Sequence, residues 1–227
     1  MALGVVIPTL NAAAFLPACL SALAAGRDTI EAMDILVVDG GSTDDTTAIA
    51  RAGGTRAISA PPSRGGQLAT GARAVAGDWL LFLHADTLLG SGWAEAAAHH
   101  MADPANETRA GYFQFALDDR TQAARRLEKL VALRCRYLAL PYGDQALLIS
   151  RYLYDSIDGY GLETLMEDVS IVRRIGRYRL CPLDAVAVTS AQRYRRGGYW
   201  RRPLRNLVCL ALYFLGVPPD RIARFYR

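Results

Sequence analysis

The sequence has few of the features that would indicate export or membrane insertion. Its four cysteines are widely spaced and form no C-x-x-C pair, which is typical of small buried side chains in a reducing compartment. The longest apolar stretch near the C-terminus, residues 207–217, is too short to span a bilayer. Residues 1–10 contain no basic segment, so we expect no signal peptide. These absences predict a cytoplasmic protein.

Lysine is almost missing as well, since Lys129 is the only one among 26 basic residues. No glycine-rich phosphate loop with a lysine is therefore present near the N-terminus. The arginines are unevenly distributed: positions 1–188 have 17 basic and 21 acidic residues, whereas the tail from Thr189 has nine arginines and one acid, Asp220. The basic tail predicts an anionic partner, which could be nucleic acid, a membrane surface or a phosphorylated substrate.

The chain does contain enough apolar residues for a substantial core. It has 227 residues, of which 52% are hydrophobic and 21% charged, and neither a repeat nor a linker interrupts it. We therefore predict one domain over residues 1–227. Strand-like apolar runs alternate with segments of helical spacing, which predicts an α/β fold with a mostly parallel sheet and right-handed crossovers.

The local patterns give approximate positions for these elements. Strands are predicted near 4–8, 35–39, 55–60, 79–83, 111–117 and 185–189, with a further one ending at Ser150. Helices are predicted near 16–26, after 42, and at 67–76, 91–101, 121–137, 166–175 and 207–217.

One predicted strand, Trp79–Leu83, ends in polar residues that could form a site. His84 and Asp86 follow it, and open α/β sheets bind ligands at the carboxyl ends of their strands. Two residues apart on a strand, both side chains would project from the same side and could share a divalent cation. One imidazole and one carboxylate make a small ligand set, however. The alternative is a buried strand with a solvated polar end.

Four motifs together resemble a known family. They are Val-Val-Ile-Pro-Thr-Leu-Asn at 5–11, Val-Val-Asp-Gly-Gly-Ser-Thr-Asp-Asp-Thr at 37–46, His-Ala-Asp at 84–86 and Met-Glu-Asp at 166–168. In order and spacing the chain resembles family 2 glycosyltransferases of the GT-A fold. Arg-Gly at 64–65, Pro-Tyr-Gly-Asp-Gln at 141–145 and Thr-Ser-Ala-Gln-Arg-Tyr at 189–194 resemble its small soluble arsenosugar-biosynthesis-type subgroup.

The resemblance implies a Rossmann-like three-layer α/β/α sandwich and a sugar-transfer reaction. The donor would be a nucleotide-diphosphate sugar, and the acceptor a hydroxyl of a small molecule or a lipid-linked compound, with inversion at the anomeric carbon. By the same resemblance, the nucleotide contacts are Pro8, Thr9, Asn11, Asp39 and Arg64, with Gln67 as a weaker candidate. Alternatively, Asp39 caps the Gly40-Gly41 turn, and Arg64 and Gln67 belong to a solvated helix start.

The leaving diphosphate needs positive charge beside it. Asp86 matches the last Asp of the family's Asp-x-Asp motif, which implies Mn²⁺ or Mg²⁺ at Asp86, whereas His84 replaces the first Asp. The segment 192–198, with Arg193 and two glycines, resembles the loop that closes over the diphosphate in this family. We therefore count His84 and Arg193 among the nucleotide-sugar-binding residues.

Attack by a hydroxyl requires a base. Asp168 matches the catalytic Asp of the family's Glu-Asp pair, and Glu167 could orient a substrate hydroxyl. Asp144 could bind a sugar or acceptor hydroxyl and competes with Asp168 for the role of base. Taken alone, Glu167 and Asp168 could simply complement the positive end of a helix.

Other functions are compatible with parts of the pattern. A GT-A-like nucleotidyltransferase would share the fold, and a non-catalytic domain could bind a nucleotide sugar or an anionic lipid. We expect no nucleic-acid partner, because no recognised module is present. The basic tail with its apolar helix could contact the inner face of the membrane peripherally, or pack on the domain or on a second copy in a homodimer.

Overall fold

The computed structural model describes the chain from Met1 to Tyr226. These residues form eight strands and ten α-helices, with the following bounds. The strands are β1 Leu3–Thr9, β2 Met33–Asp39, β3 Arg56–Ser59, β4 Trp79–Phe82, β5 Thr87–Leu89, β6 Ala110–Leu117, β7 Leu147–Ser150 and β8 Leu180–Thr189. The helices are α1 Leu16–Ala24, α2 Thr46–Ala52, α3 Arg64–Ala74, α4 Trp93–Ala102, α5 Gln122–Leu138, α6 Arg151–Ser156, α7 Glu167–Ile175, α8 Gln192–Gly197, α9 Arg201–Phe214 and α10 Pro219–Tyr226.

The eight strands form a single sheet in the order β3-β2-β1-β4-β7-β6-β8-β5. Strands β1 to β4 run parallel to one another, and β6 runs parallel to β8. Strand β7 is antiparallel to both β4 and β6, and the short β5 is antiparallel to β8. The predicted mostly parallel α/β fold is therefore confirmed, whereas the extent of one domain over 1–227 stays a prediction.

Successive apolar side chains of a strand point to opposite faces of the sheet, so both faces are packed. Val5 and Ile7 of β1 point to the layer that contains α1 and α4, while Val6 between them points to the layer that contains α3, α6 and α7. All three side chains are fully buried. Because successive residues of a strand face opposite sides, an unbroken apolar run is what a sheet covered on both faces requires.

Strand directions decide where the polar ends meet. Strands β1, β2, β4 and β8 all end at the same edge of the sheet, at Thr9, Asp39, Phe82 and Thr189. Strand β7 runs the other way, so its first residue, Leu147, pairs with Phe82 at that edge. The segment before β7 is thus brought beside the residues that follow β4.

Gln67 connects this edge to helix α3. Its buried amide nitrogen donates hydrogen bonds to the carbonyl oxygens of Thr9, at 2.8 Å, and Val38, at 2.7 Å. The Thr9 carbonyl also accepts a hydrogen bond from the Gly40 N–H at 2.8 Å, so the side chain adds a further donor at the end of the β1–β2 ladder. Gln67 is a buried structural group here, not part of a solvated helix start.

Several sequence-based boundaries were wrong. Helix α3 begins at Arg64, because Ser63 caps it by accepting a hydrogen bond from the Gly66 N–H at 3.3 Å. Residues 192–198 were expected to be a loop, yet α8 occupies 192–197, held by the ion pairs of Arg195 with Asp118 and Asp119. Strands β5 and β8 and helices α6 and α10 were missed wholly or in part, since short elements have little periodicity.

The strand β4 also ends earlier than expected. It stops at Phe82, and His84 begins a turn in which the Thr87 N–H donates to the His84 carbonyl at 3.1 Å. The argument that His84 and Asp86 project from one side of a strand was therefore wrong. No helix within residues 1–226 combines the length and the apolar character needed to cross a membrane.

Candidate active site

A cleft of about 370 Å³ opens at the edge of the sheet where β1, β4 and β8 end. It brings together nearly all of the predicted site residues, although these come from positions far apart in the sequence. Those that line it are Pro8, Thr9, Asn11, Arg64, Gln67, His84, Asp86, Asp144, Glu167, Asp168 and Arg193. Of the predicted set, Asp39 does not line the cleft.

Asp39 is buried beneath the cleft and its oxygens are already occupied. One carboxylate oxygen accepts from the hydroxyls of Thr9 and Ser42, and the other from the backbone N–H groups of Gly41 and Ser42. Burial alone would raise the pKa of this carboxyl, but the hydrogen bonds from Ser42, Gly41 and Thr9 outweigh it and lower the pKa. The geometry is that of a capped turn, the alternative considered for Asp39.

His84 is a neutral residue at the floor of the cleft. Burial lowers the pKa of its imidazole to about 3, and the guanidinium of Arg64 lowers it further against the opposing effect of Asp86. The ring packs against Gly143: a Cβ added there would lie 2.6 Å from Cε1 of His84 and closer still to Nε2. The residue that replaces the first Asp of the family motif thus contributes packing, not negative charge.

The segment Tyr142–Gln145 is fixed from several directions. Arg134 donates to the side-chain oxygen of Gln145 at 3.1 Å, and its guanidinium lies 3.5 Å from the centre of the Tyr142 ring. Gln145 in turn donates to the Phe113 carbonyl at 3.1 Å. The next residue, Ala146, has φ 51° and ψ 162°, a conformation that costs a non-glycine residue about 1–3 kcal/mol. These contacts hold the strained backbone in place.

Asp144 is a cleft acid with a buried oxygen and a raised pKa. Its Oδ1 atom is buried and has no hydrogen-bond partner. Burial raises the pKa of the carboxyl to about 6; Arg134 opposes the increase, and the charges of Asp168 and Asp86 add to it. The neighbouring Asp86 lies 3.5 Å from Arg193, between its Oδ2 atom and the guanidinium NH2. A cation or a hydroxyl donor is what the unpartnered oxygen of Asp144 would stabilise.

Glu167 and Asp168 begin helix α7, directly after Met166 in the left-handed region with φ 66°. Asp168 is half-buried, and its Oδ2 accepts a hydrogen bond from the Gly143 N–H at 3.2 Å. Glu167 is buried, with Oε1 3.7 Å from Nε of Arg64. Burial and the charge of Asp168 together raise the pKa of Glu167 to about 7 although Arg64 opposes this. The two adjacent acids therefore differ in environment.

The cleft residues offer few ligands for a metal ion. Within residues 1–226, no group of three or more His, Cys, Asp or Glu side chains is arranged to hold one. Asp86 and Asp144 are the two carboxylates with a suitable setting, because one is partly exposed in the cleft and the other has an unpartnered oxygen. Any cation here would take its remaining ligands from a bound molecule or from water.

Sequence reasoning missed several residues that line the cleft. Arg202 and Asn206 come from the inner face of α9, a part of the basic tail for which membrane contact and packing on the domain were both open. Tyr142 and Thr189 lie inside motifs that were recognised, but they were not singled out; the Thr189 hydroxyl donates to the Asp144 carbonyl at 3.1 Å. The spacing of Arg202 and Asn206 on one helix face was the only signal available for them.

Comparison with known families and proteins gives one family match and several partial relatives. The model of glycosyl transferase family 2 matches residues 4–154. The PGL/p-HBAD biosynthesis glycosyltransferases of Mycobacterium tuberculosis and Mycobacterium bovis are 42% identical to this chain over 37% of its length. The matched part is 35% of those relatives, so the chain spans about a third of their length.

Solved structures resemble the chain over nearly its whole length. Glucosyl-3-phosphoglycerate synthase from Mycobacterium tuberculosis, in complex with Mn²⁺ and UDP-glucose, has a TM-score of 0.61 at 20% identity, over 96% of this chain and 80% of that one. Mannosyl-3-phosphoglycerate synthase from Rubrobacter xylanophilus has the same TM-score at 19% identity, over 96% and 76%. At this identity the likeness establishes the fold alone.

The contact between Gly143 and His84 can be tested by Gly143→Ala. The added Cβ would overlap the buried imidazole, so we expect a loss of about 1–3 kcal/mol in the free energy of unfolding. His84→Ser should recover much of this loss in the double variant, as urea unfolding in a double-mutant cycle would measure. Gly197→Ala is the matched control, because nothing lies within 4 Å of its added Cβ. Equal effects of the two alanine substitutions would contradict the packing described.

The raised pKa of Glu167 predicts a pH-dependent cost to stability. The unfolded carboxyl has its ordinary pKa of 4.5 and the folded one a pKa of about 7, so the folded state loses stability as pH rises between these values. We expect Glu167→Gln to remove this loss, making the variant up to about 3 kcal/mol more stable than wild type at pH 8. The difference should vanish at pH 4. Urea unfolding from pH 4 to pH 8 measures it, and parallel pH profiles would refute it.

Proposed function

The chain belongs to glycosyl transferase family 2, and we propose that it moves a sugar from a nucleotide-diphosphate donor to a hydroxyl acceptor with inversion at the anomeric carbon. The observation that carries this proposal is the meeting of Asp86, Asp144, Glu167 and Asp168 with arginines in one cleft at the carboxyl edge of the sheet. Nucleotides bind at this edge in open α/β folds. The chain is proposed to act as one domain over 1–227.

The nucleoside end of the donor is assigned to the part of the cleft formed by the end of β1 and the start of α3. Pro8, Thr9 and Asn11 line it on one side and Arg64 on the other. Asn11 is held in the left-handed region with φ 51°, and its side-chain oxygen accepts from the Thr43 N–H at 2.9 Å. Asp39 supports this region from below by fixing Thr9 and the 40–42 turn.

The diphosphate is assigned to the space between Asp86 and Arg193. Arg193 is about half exposed and already directed at Asp86, so a diphosphate could take over its guanidinium through paired hydrogen bonds. Asp86 and Asp144 would hold Mn²⁺ or Mg²⁺, because these cations prefer carboxylate oxygens and one oxygen of Asp144 has no other partner. When bound, such a cation would neutralise the negative charge that develops on the leaving diphosphate.

Asp168 is assigned as the general base. The acceptor oxygen forms a bond to the anomeric carbon as the bond to the diphosphate breaks, and its proton passes to the base. The Asp168 carboxylate is oriented by the Gly143 N–H and lies at the cleft surface, whereas Glu167 is buried against Arg64. Glu167 is proposed to position Arg64 and a substrate hydroxyl. Asp144, whose pKa is about 6, remains the competing base.

Donor sugar, nucleotide base and acceptor are proposed only as classes. The resemblance to the arsenosugar-biosynthesis-type subgroup suggests a small ribose-like or arsenical acceptor, whereas the curated relatives are glycosyltransferases of PGL/p-HBAD biosynthesis. We further propose that the protein acts in the cytoplasm. Its tail would make a peripheral membrane contact or form a homodimer.

Donor class and metal can be tested by thermal-shift measurements with UDP-, GDP-, dTDP- and ADP-sugars, with and without Mn²⁺. At about 100 times Kd a bound donor should raise Tm by about 5–10 °C for a chain of this size. We expect the shift for one nucleotide to require Mn²⁺ and to disappear in Asp86→Ala. Asp184→Ala, an exposed acid outside the cleft, is the control. The absence of any shift would overturn the transferase proposal.

The base can be identified by comparing Asp168→Asn with Asp144→Asn. Removing a general base should lower kcat by about 10²–10⁴-fold, measured as release of nucleoside diphosphate from the donor found above. For Asp168→Asn we expect this loss with the donor-induced Tm shift retained. A larger loss in Asp144→Asn with donor binding intact would transfer the base role to Asp144.

A further inference from the structure

Helix α9 has two apolar faces, and only one of them packs on the protein. Its inner face carries Cys209 and Leu210, both buried. At the N-terminal end of the same face, Arg202 and Asn206 line the cleft. This face therefore belongs to the core and to the site.

After Arg201 in its first turn, the outer face of α9 is exposed and has no polar side chain. It consists of Leu204, Leu207, Val208, Ala211, Phe214 and, just beyond the helix, Leu215. Leu204, Leu207 and Leu215 are 62%, 59% and 80% exposed. Positions i, i+3, i+4, i+7, i+10 and i+11 form one stripe on a helix. A contiguous exposed apolar stripe of this kind marks an interaction surface.

The charged residues of the tail are nearly all arginines. Arg201 precedes the stripe, Arg221 and Arg224 are exposed on the following helix, and Arg173 of α7 lies 4.9 Å from the centre of the Phe214 ring. The one acid of the tail, Asp220, accepts a hydrogen bond from the Thr164 hydroxyl at 3.1 Å. The outer face of α9 is therefore apolar at its centre and basic around it.

Three occupants can be compared on this basis. A symmetric dimer would bring two equally basic patches together, because an isologous contact matches a patch with itself. A protein partner would normally need hydrogen-bonding groups, at about one hydrogen bond per 100–200 Å² of interface, and the stripe offers none. An anionic bilayer satisfies both features, since its hydrocarbon takes up the apolar side chains and its headgroups pair with arginine.

We infer that the outer face of α9 docks on the surface of an anionic lipid bilayer. Trp200, which is 70% exposed and directly precedes the helix, has the amphipathic ring that favours the headgroup region. Docking would bring the α9 side of the cleft next to the bilayer. If the proposed sugar transfer holds, a hydroxyl carried by a lipid would then be within reach of the site.

The tryptophans provide a direct readout on the full chain. Trp79 and Trp93 are buried, whereas Trp200 is exposed, so a change in emission on adding vesicles reports the α9 region. We expect a blue shift with vesicles of phosphatidylcholine and phosphatidylglycerol, and little or none with phosphatidylcholine alone. Trp200→Phe should abolish the shift while co-sedimentation with the vesicles persists. Absence of both signals with anionic vesicles would overturn the inference.

Substitutions on α9 separate the apolar and the basic contributions to vesicle binding. Leu204→Ser/Leu207→Ser removes exposed side chains, and we expect the partition coefficient in vesicle co-sedimentation to fall at least about tenfold. Arg201→Glu should lower it at least about fivefold at low salt, whereas Arg51→Glu on α2 should leave it unchanged. Equal losses for the two arginine variants would refute a specific surface.

Two further measurements distinguish failure of the bilayer inference from failure of the proposed transferase function. The leucine variant should lose vesicle binding and retain the donor-induced Tm shift. A wild-type protein that shows the donor-induced shift but does not bind anionic vesicles would overturn the bilayer inference and leave the transferase proposal intact. Light scattering coupled to size-exclusion chromatography measures whether the protein is a monomer or a dimer, which tests the homodimer alternative. A dimer that dissociates in the leucine variant would show that a second copy, not a bilayer, covers this face.

Discussion

Strand β7 runs antiparallel to both of its neighbours, and the candidate site depends on that direction. Because β7 starts at the edge where β4 ends, the segment before it reaches the residues after β4. Gly143 then packs on His84 and donates its N–H to Asp168, while Asp144 lies beside Asp86 in the same cleft. A parallel β7 would begin at the opposite edge and would leave the cleft without this segment.

Bringing acids together in a partly buried cleft has an energetic cost. Burial and mutual repulsion raise the pKa values of Asp144 and Glu167, and Asp144 keeps an unpartnered oxygen. A folded protein tolerates such groups when a ligand relieves them, since substrate cations or hydroxyls restore the lost interactions. The neutral His84 limits the repulsion, because a carboxylate at that position would add a further negative charge.

Helix α9 connects the site with the surface of the molecule. Arg202 and Asn206 contribute to the cleft wall, and the opposite face of the same helix exposes Leu204, Leu207 and Phe214. The same helix therefore connects the cleft wall with an exposed apolar surface. The inferred contact with a bilayer would account for the basic and apolar character of this face.

The sequence by itself determined the α/β class and the buried strands, because apolar runs are local patterns. Met166-Glu167-Asp168 at the start of a helix was predictable for the same reason. Most of the cleft residues were found in the sequence through the resemblance of its motifs to a known family. Only the tertiary structure decided that Asp39 supports the cleft from below, that residues 192–197 are helical, and that Arg202 and Asn206 line the site. Those outcomes depend on strand direction and on contacts between distant segments, which no local pattern encodes.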